Sequence, residues 1–234
     1  MAKRSREKYY SASGAYLKEH QEFLKIADVK LDVDFLIKAL AIKKDDRTLD
    51  IACGQGRHAI EFTKRGYGVD GVDYSKFLID KAKTATRNLQ TKTPDFYLSN
   101  IIKTKLPGKY SKAYWFFPDF ADIDIPAALK SINQSVETGG MVLLDTDNIY
   151  RLVSFLQRNP SHKDNEFDVK TLKLLNKKDG SCTQYQTFPV WKKWLESNNF
   201  SIQKIFGDYE LGPYSVHSPR LIFIITKPLR PMMA

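Results

Sequence analysis

One stretch, LDIACGQGRHA from Leu49 to Ala59, constrains this chain more than any other. A mostly apolar run, Leu49 to Cys53, ends abruptly in Gly54-Gln55-Gly56. A helical pattern follows at once, with Ala59, Ile60, Phe62 and Thr63 recurring at helix spacing. The stretch therefore reads as strand, tight glycine turn and helix start. Gly54 and Gly56 reach backbone angles closed to other residues and leave no side chain in the way of a ligand. The helix then points unpaired N–H groups and its positive end at whatever lies over the turn. Asp73 closes another apolar run, Val69 to Val72, 23 residues after Asp50. A carboxylate at the tip of the next parallel strand suits a ribose diol.

Two ligand classes fit that geometry. A dinucleotide needs G-x-G-x-x-G or A, which Gly54, Gly56 and Ala59 satisfy. S-adenosylmethionine has no phosphate, and its binders carry an acid on the strand before the glycines, where this chain has Asp50. Two stretches in register, LDIACGQGRHA and RGYGVDGVDYS (Arg65 to Ser75), resemble the class I S-adenosylmethionine-dependent methyltransferases. The match is most specific to bacterial members reading LD-x-ACG-x-GRHA and then RG-x-x-V-x-GVD-x-S. Ala52 stands where many members have a first glycine. The resemblance implies Asp50, Ala52, Gly54, Gly56, Arg57, Asp73 and Tyr74 around the cofactor. It also implies an α/β fold: a Rossmann-like, doubly wound, seven-stranded sheet, mostly parallel with an antiparallel last strand, and helices on both faces.

The 234 residues fit one domain, 1–234, with its own core. No apolar run is long enough to span a bilayer, so no membrane partner is expected. The basic start MAKRSREKYY lacks a following apolar segment, so no secretory leader is expected. Cys53 and Cys182, the two cysteines, have no short spacing; they fit a reducing cytoplasm and no metal site. Cys53 reads as a buried strand residue. His20, His58, His162 and His217 are too scattered for a metal, and His58 reads as structural. The net charge of +10 raises nucleic acid as a partner, but the lysines are dispersed and only residues 3–8 form a compact basic run. Neither a P-loop nor an internal repeat is present.

Before the first strand, Phe23, Leu24, Ala27, Leu31, Phe35, Leu36, Ala39 and Leu40 predict two amphipathic helices, broken around Asp28 to Asp32. In the family such a segment, here 1–45, caps the cofactor, which brings Tyr9, Tyr10 and Tyr16 over it; an aromatic face attracts a sulfonium. Strands and helices then alternate: strands Leu49–Cys53, Tyr67–Val72, Asp95–Leu98, Lys112–Phe117 and Met141–Asp145, helices Arg57–Arg65, Lys76–Leu89 and Ile125–Val136, the last stopped by Gly139-Gly140. Such alternation implies a parallel sheet whose strand ends share one edge. Asn100 sits where the family carries an Asp for the adenine amino group, and Ile101 beside it packs the adenine. Within Trp115-Phe116-Phe117-Pro118-Asp119-Phe120, Phe116 is the candidate cofactor wall, and Trp115 and Phe117 read as strand core. The stretch lacks the Asn/Asp-Pro-Pro-Tyr/Phe motif of base and amide amino methyltransferases.

Asp145-Thr146-Asp147-Asn148 matches the family's D-x-x-N; Asn148 orients an acceptor or the cofactor, or caps the helix Ile149 to Leu156. Residues 159–188 form a short acceptor-side insertion with a hairpin turn at Asp179-Gly180 between Leu172–Leu175 and Cys182–Thr187. A helix at Val190–Ser197 and strands at Phe200–Phe206 and Arg220–Thr226 complete the chain. Gly207 to Lys227 is similar to the family ending, G-D-Y/F-…-S-x-R-L-I.

Methyl transfer from a sulfonium requires in-line positioning, and a general base only if the nucleophile still holds its proton. Asp119, Asp147, Tyr209 and His217, in loops at the sheet edges, are candidates for that base. Three functions follow: methylation of a small molecule, which the subgroup resemblance favours; methylation of RNA or protein, supported by charge alone; and attack on the aminocarboxypropyl carbon, releasing methylthioadenosine. The chain is expected to act as a monomer or homodimer.

Overall fold

The computed structural model describes residues 6–19, 26–87, 89, 94–102, 106, 109–118, 120, 123–159, 164–178 and 181–229. Two short helices, α1 (Arg6–Tyr9) and α2 (Tyr16–Glu19), lead to the longer α3 (Ile26–Leu40). The first unit is β1 (Arg47–Ile51) and α4 (Arg57–Lys64), followed by β2 (Gly68–Asp73), α5 (Lys76–Thr86) and β3 (Phe96–Leu98). Next come β4 (Tyr110–Trp115), α6 (Ile125–Ser135), β5 (Val136–Asp147) and α7 (Ile149–Arg158). Three short strands follow, β6 (Asn165–Asp168), β7 (Lys173–Asn176) and β8 (Cys182–Gln184), then α8 (Phe188–Ser197), β9 (Ser201–Phe206) and β10 (Arg220–Thr226).

Seven strands form one sheet in the order β3-β2-β1-β4-β5-β10-β9. The first five are parallel, and β10 runs antiparallel to both β5 and β9. Strand alternation sends side chains to two cores. Leu49, Ile51, Trp115, Val142, Leu144, Leu221 and Phe223 pack on one face with Leu129 and Ile132 of α6 and Trp191 and Leu195 of α8. On the other face Tyr114, Leu143, Ile222 and Ile224 pack with Val33, Leu36 and Leu40 of α3, Ala59 and Phe62 of α4, and Ile79 of α5. The expected doubly wound, mostly parallel sheet with helices on both faces is the architecture found. No helix among the described residues is long and apolar enough to cross a membrane.

Three expectations need correction. The break near Asp28 to Asp32 does not exist: α3 runs through it, because Val29, Val33, Leu36 and Leu40 make a continuous buried stripe and Asp32 finds partners on α4. Phe23 and Leu24 lie outside the described residues. Gly139-Gly140 does not stop a helix; α6 ends at Ser135, and the glycines lie inside β5, beside an irregularity in its pairing with β4. The insertion is more ordered than a hairpin. β6-β7-β8 form an antiparallel three-stranded sheet, while the turn residues Asp179-Gly180 lie outside the described residues.

Candidate active site

The turn after β1 is built by unusual backbone angles. Ala52, Gly54 and Gly56 all have positive φ (58°, 56° and 76°), so Ala52 occupies a conformation that glycine adopts more readily. The two glycines serve different purposes. A Cβ on Gly56 would lie 2.7 Å from the Phe96 ring, so this position lets the turn pack against β3. At Gly54 the nearest atom, Leu78 Cδ1, is 3.8 Å away, which leaves room over the turn. Gly56 is thus required for packing of the turn against Phe96.

Asp73, buried at the tip of β2, fastens this turn. Its Oδ2 accepts the Gly54 N–H at 2.9 Å and its Oδ1 the Ser75 N–H at 2.8 Å. Ser75 caps α5 and donates its hydroxyl to the Tyr10 carbonyl at 2.7 Å, tying the N-terminal segment to the same strand tip. Around that anchor Tyr10 meets Tyr9, Tyr16 and Tyr74, with ring centroids 4.9, 4.8 and 5.7 Å away. Tyr9, Tyr10 and Tyr16, expected over the cofactor, pack on one another and on Tyr74 at the tip of β2. Asn100 is exposed, and its side-chain oxygen accepts the Ile102 N–H at 3.0 Å; Ile101 packs against the core.

Asp50 is buried one strand away, facing the α3–α5 side with Tyr114 opposite it in register. Burial pushes its carboxyl up to about 8; the Tyr114 hydroxyl and the Arg57 guanidinium pull the other way, and Asp73 adds to the rise. The Asp50 Oδ2 and the Tyr114 hydroxyl are nonetheless both buried without a hydrogen bond. Arg57 and His58, at the start of α4, are held by Asp32 of α3 at 3.3 and 2.9 Å. Burial lowers the His58 pKa against the pull of Asp32, so His58 is a packed, structural histidine, as expected.

A second cluster lies at the ends of β5 and β10. Asp145, with no exposed surface, takes the Arg220 Nε at 2.8 Å and Nη2 at 2.9 Å, the Phe117 N–H at 3.2 Å and the Tyr209 hydroxyl at 3.2 Å. Asp147 binds the remaining nitrogen, Arg220 Nη1. Burial works against the Arg220 cation, but Asp145 and Asp147 raise its pKa; burial, then Asp145, pushes the Tyr209 phenol upward. Tyr185, just after β8, is pushed up to about 12 by burial and by Asp147. Arg220 and Asp32 were not singled out from sequence, and Asp145 was noted there only as the acid of the D-x-x-N match; the Arg in the matched ending was the available signal.

Phe117 joins the two clusters. It has a positive φ of 51°, its ring lies 5.6 Å from the Arg57 guanidinium carbon, and Phe116 and Tyr209 are 4.1 and 5.6 Å away. Phe116 is buried between Phe35 and His58. A cavity of 590 Å³ opens beside Phe117, lined by Arg151, Asp208, Tyr209, Glu210, Pro219 and Arg220.

The other acceptor-side candidates separate. Asn148 is buried and fully engaged: its amide nitrogen reaches the carbonyls of Ser215, Val216 and Ser218, and its oxygen accepts from Tyr150 N–H and the Tyr214 hydroxyl. It caps α7 and latches the 215–218 turn. His217 stands exposed on that turn. Asp119, His20 and His162 lie outside the described residues, as do residues 3–5 of the basic run.

Residues 48–140 match the methyltransferase domain family. A protein of Geobacillus sp. (strain WCH70) named as a methyltransferase is 22% identical over 211 residues, covering 77% of this chain and 84% of its own length. Among solved structures, a S-adenosylmethionine-dependent methyltransferase from Clostridium acetobutylicum superposes with a TM-score of 0.70 at 16% identity, over 92% of this chain and all of that one. The CcbJ methyltransferase from Streptomyces caelestis gives 0.72 at 15% identity, over 96% and 100%. At such identities the structural likeness speaks for the fold, and the matched domain for the activity within it. The chain carries a methyltransferase domain over residues 48–140, and its glycine turn, Asp50 and Asp73 lie inside that matched domain.

Proposed function

We propose that this methyltransferase acts on a small-molecule acceptor seated in the cavity beside Phe117. The observation that carries the reading is the size and place of that cavity. At 590 Å³ it falls within the range of small-molecule sites, and Phe117 gives it a common wall with the start of α4.

The residues around the turn fit S-adenosylmethionine. Asp50 offers a buried oxygen with no hydrogen bond, suited to the cationic methionine end, and Gly54 leaves open space above the backbone. In this reading Asp73 takes the ribose hydroxyls while its backbone bonds fix its rotamer, and Asn100 and Ile101 border the adenine. Phe116 backs the site, and residues 1–45 close it with Tyr9, Tyr10 and Tyr16, within a single domain of 1–234. The cofactor supplies a methyl group already activated on a sulfonium. The protein's own work is to exclude water and hold the acceptor in line. Tyr209 is a poor base here: its phenol is held protonated and donates to Asp145.

Supplying the purified protein with methyl-labelled cofactor and a cell extract tests the acceptor class. Label should appear in the small-molecule fraction, with S-adenosylhomocysteine as co-product. Label in RNA or protein would reject the acceptor reading. For the cofactor site, Asp73→Ala should weaken S-adenosylmethionine binding at least about tenfold, since a charged hydrogen bond contributes roughly 1.5–3 kcal/mol. Unchanged affinity by calorimetry would remove Asp73 from the site.

A further inference from the structure

We propose, building on the acceptor reading above, that the cavity selects a small alkylamine that carries an aromatic ring and enters as its ammonium cation. The chain as a whole is strongly basic, with a formal charge of +10. Around the cavity that sign reverses. Arg151 and Arg220 face four carboxylates: Asp208 and Glu210 on the wall, and Asp145 and Asp147 directly behind Arg220. The cavity therefore carries two more formal negative charges than positive ones.

The distribution of those charges matters more than the count. Arg220 is already bound through three nitrogens by two carboxylates, so its charge is more than matched before any ligand arrives. Asp208 is committed through Oδ1 to the N–H groups of Glu210 and Gly212, which fixes the 208–212 turn and presents Glu210 at the rim. Arg151 and Glu210 are both exposed on the cavity wall. An anionic acceptor entering here would meet the excess of carboxylates; a cationic one would be drawn in by it.

The apolar part of the wall points the same way. Phe117 and Tyr209 lie with ring centroids 5.6 Å apart at an interplanar angle of 80°, so one face and one edge are offered to the same space. An aromatic ring can stack or pack edge-on there, and an ammonium beside an aromatic face is stabilised by the ring's quadrupole. Pro219 adds apolar wall without a donor. A neutral amine is also the form that attacks a methyl carbon, and a carboxylate rim gives the ammonium's proton somewhere to go.

Calorimetry on the full chain saturated with S-adenosylhomocysteine tests this with two probes that share a ring and differ in charge, tryptamine and indole-3-acetate. Tryptamine should bind at least about tenfold more tightly, and Glu210→Gln, a change at an exposed position, should cut that advantage about threefold. Equal affinity, tighter binding of indole-3-acetate, or binding of neither probe overturns the inference while S-adenosylhomocysteine binding stands. Failure to bind S-adenosylhomocysteine itself is a separate reading and overturns the cofactor site first.

Discussion

Asp50 and Asp145 make an instructive pair. Both are buried, both stand near the carboxyl ends of parallel strands, and strand alternation turns both toward the α3–α5 face. Asp145 is saturated by four donors from β10, the 208–212 turn and the end of β4. Asp50 has an oxygen with no donor at all, and burial drives its carboxyl up to about 8. A buried carboxylate is costly unless it is paired, so the two sites handle one expense differently. At Asp145 the compensation comes from the fold, and the result is a rigid wall. At Asp50 the fold supplies no hydrogen bond to Oδ2, which is why the proposed function gives this oxygen the cationic end of the cofactor.

The largest effect should come from breaking the saturated member. Asp145→Ala leaves Arg220 with Asp147 alone and strips partners from the Phe117 N–H and the Tyr209 hydroxyl. Removing one partner of a buried pair costs about 3–5 kcal/mol, and urea denaturation should show a loss of that size. A loss below about 1 kcal/mol would mean that Asp145 is not the keystone of the cluster.

Next in size is Gly56→Val, which sharpens what the turn owes to packing. Its Cβ would sit 2.7 Å from the Phe96 ring at a φ of 76°, so overpacking alone should cost about 1–3 kcal/mol of stability. Gly54→Val meets no such clash; it should lose stability only through backbone strain yet lose cofactor binding severely. Equal stability losses at the two glycines would erase the distinction between a packing position and a ligand position.

Much of this end was legible in the sequence because it is local. Strand, glycine turn, helix start and the acid at the next strand tip fall between Leu49 and Ser75, and each is read from its neighbours. The other end was not, because its partners are distant in the chain: Asp145 and Arg220 are 75 residues apart, and Asp145 and Tyr209 are 64. The false break in α3 has the same origin. Asp32 looks like a helix interruption until His58, 26 residues later, is seen to face it. β6 was missed because three of the four residues in NEFD are polar, so no alternation shows, and none of them is fully buried.

The pH dependence of stability tests the unsatisfied member directly. The folded Asp50 carboxyl sits at about 8, above its unfolded value near ~4. Between those values the folded chain keeps a proton that the unfolded chain has released, so stability from this group falls as pH rises and levels off above about 8. The slope can reach about 1.4 kcal/mol per pH unit for a fully shifted group. Asp50→Asn should abolish it, so the variant gains on the parent from pH 5 to pH 8 in matched urea titrations. Saturating S-adenosylmethionine, cationic at sulfur and amine, should flatten the parent's slope as well. A parent–variant difference that stays constant with pH would show that Asp50 is already ionised in the folded chain.

The smallest effect probes the saturated side without dismantling it. The Tyr209 hydroxyl gives Asp145 its fourth hydrogen bond, at 3.2 Å, to an oxygen that already takes Arg220 Nη2 and the Phe117 N–H. Tyr209→Phe removes that bond alone, and the ring keeps its place against Phe35, Phe116 and Phe117. With three donors still on Asp145, the loss should lie near the lower end of the roughly 0.5–1.5 kcal/mol of an ordinary hydrogen bond. Cofactor affinity should not change, because the hydroxyl faces Asp145 and not the glycine turn. Methyl transfer should also persist, since a phenol held protonated by burial and by the adjacent carboxylate has no proton-accepting role to lose. Loss of transfer in a stable Tyr209→Phe enzyme with normal cofactor binding would make the hydroxyl part of the chemistry, and the Asp145 cluster more than a structural wall.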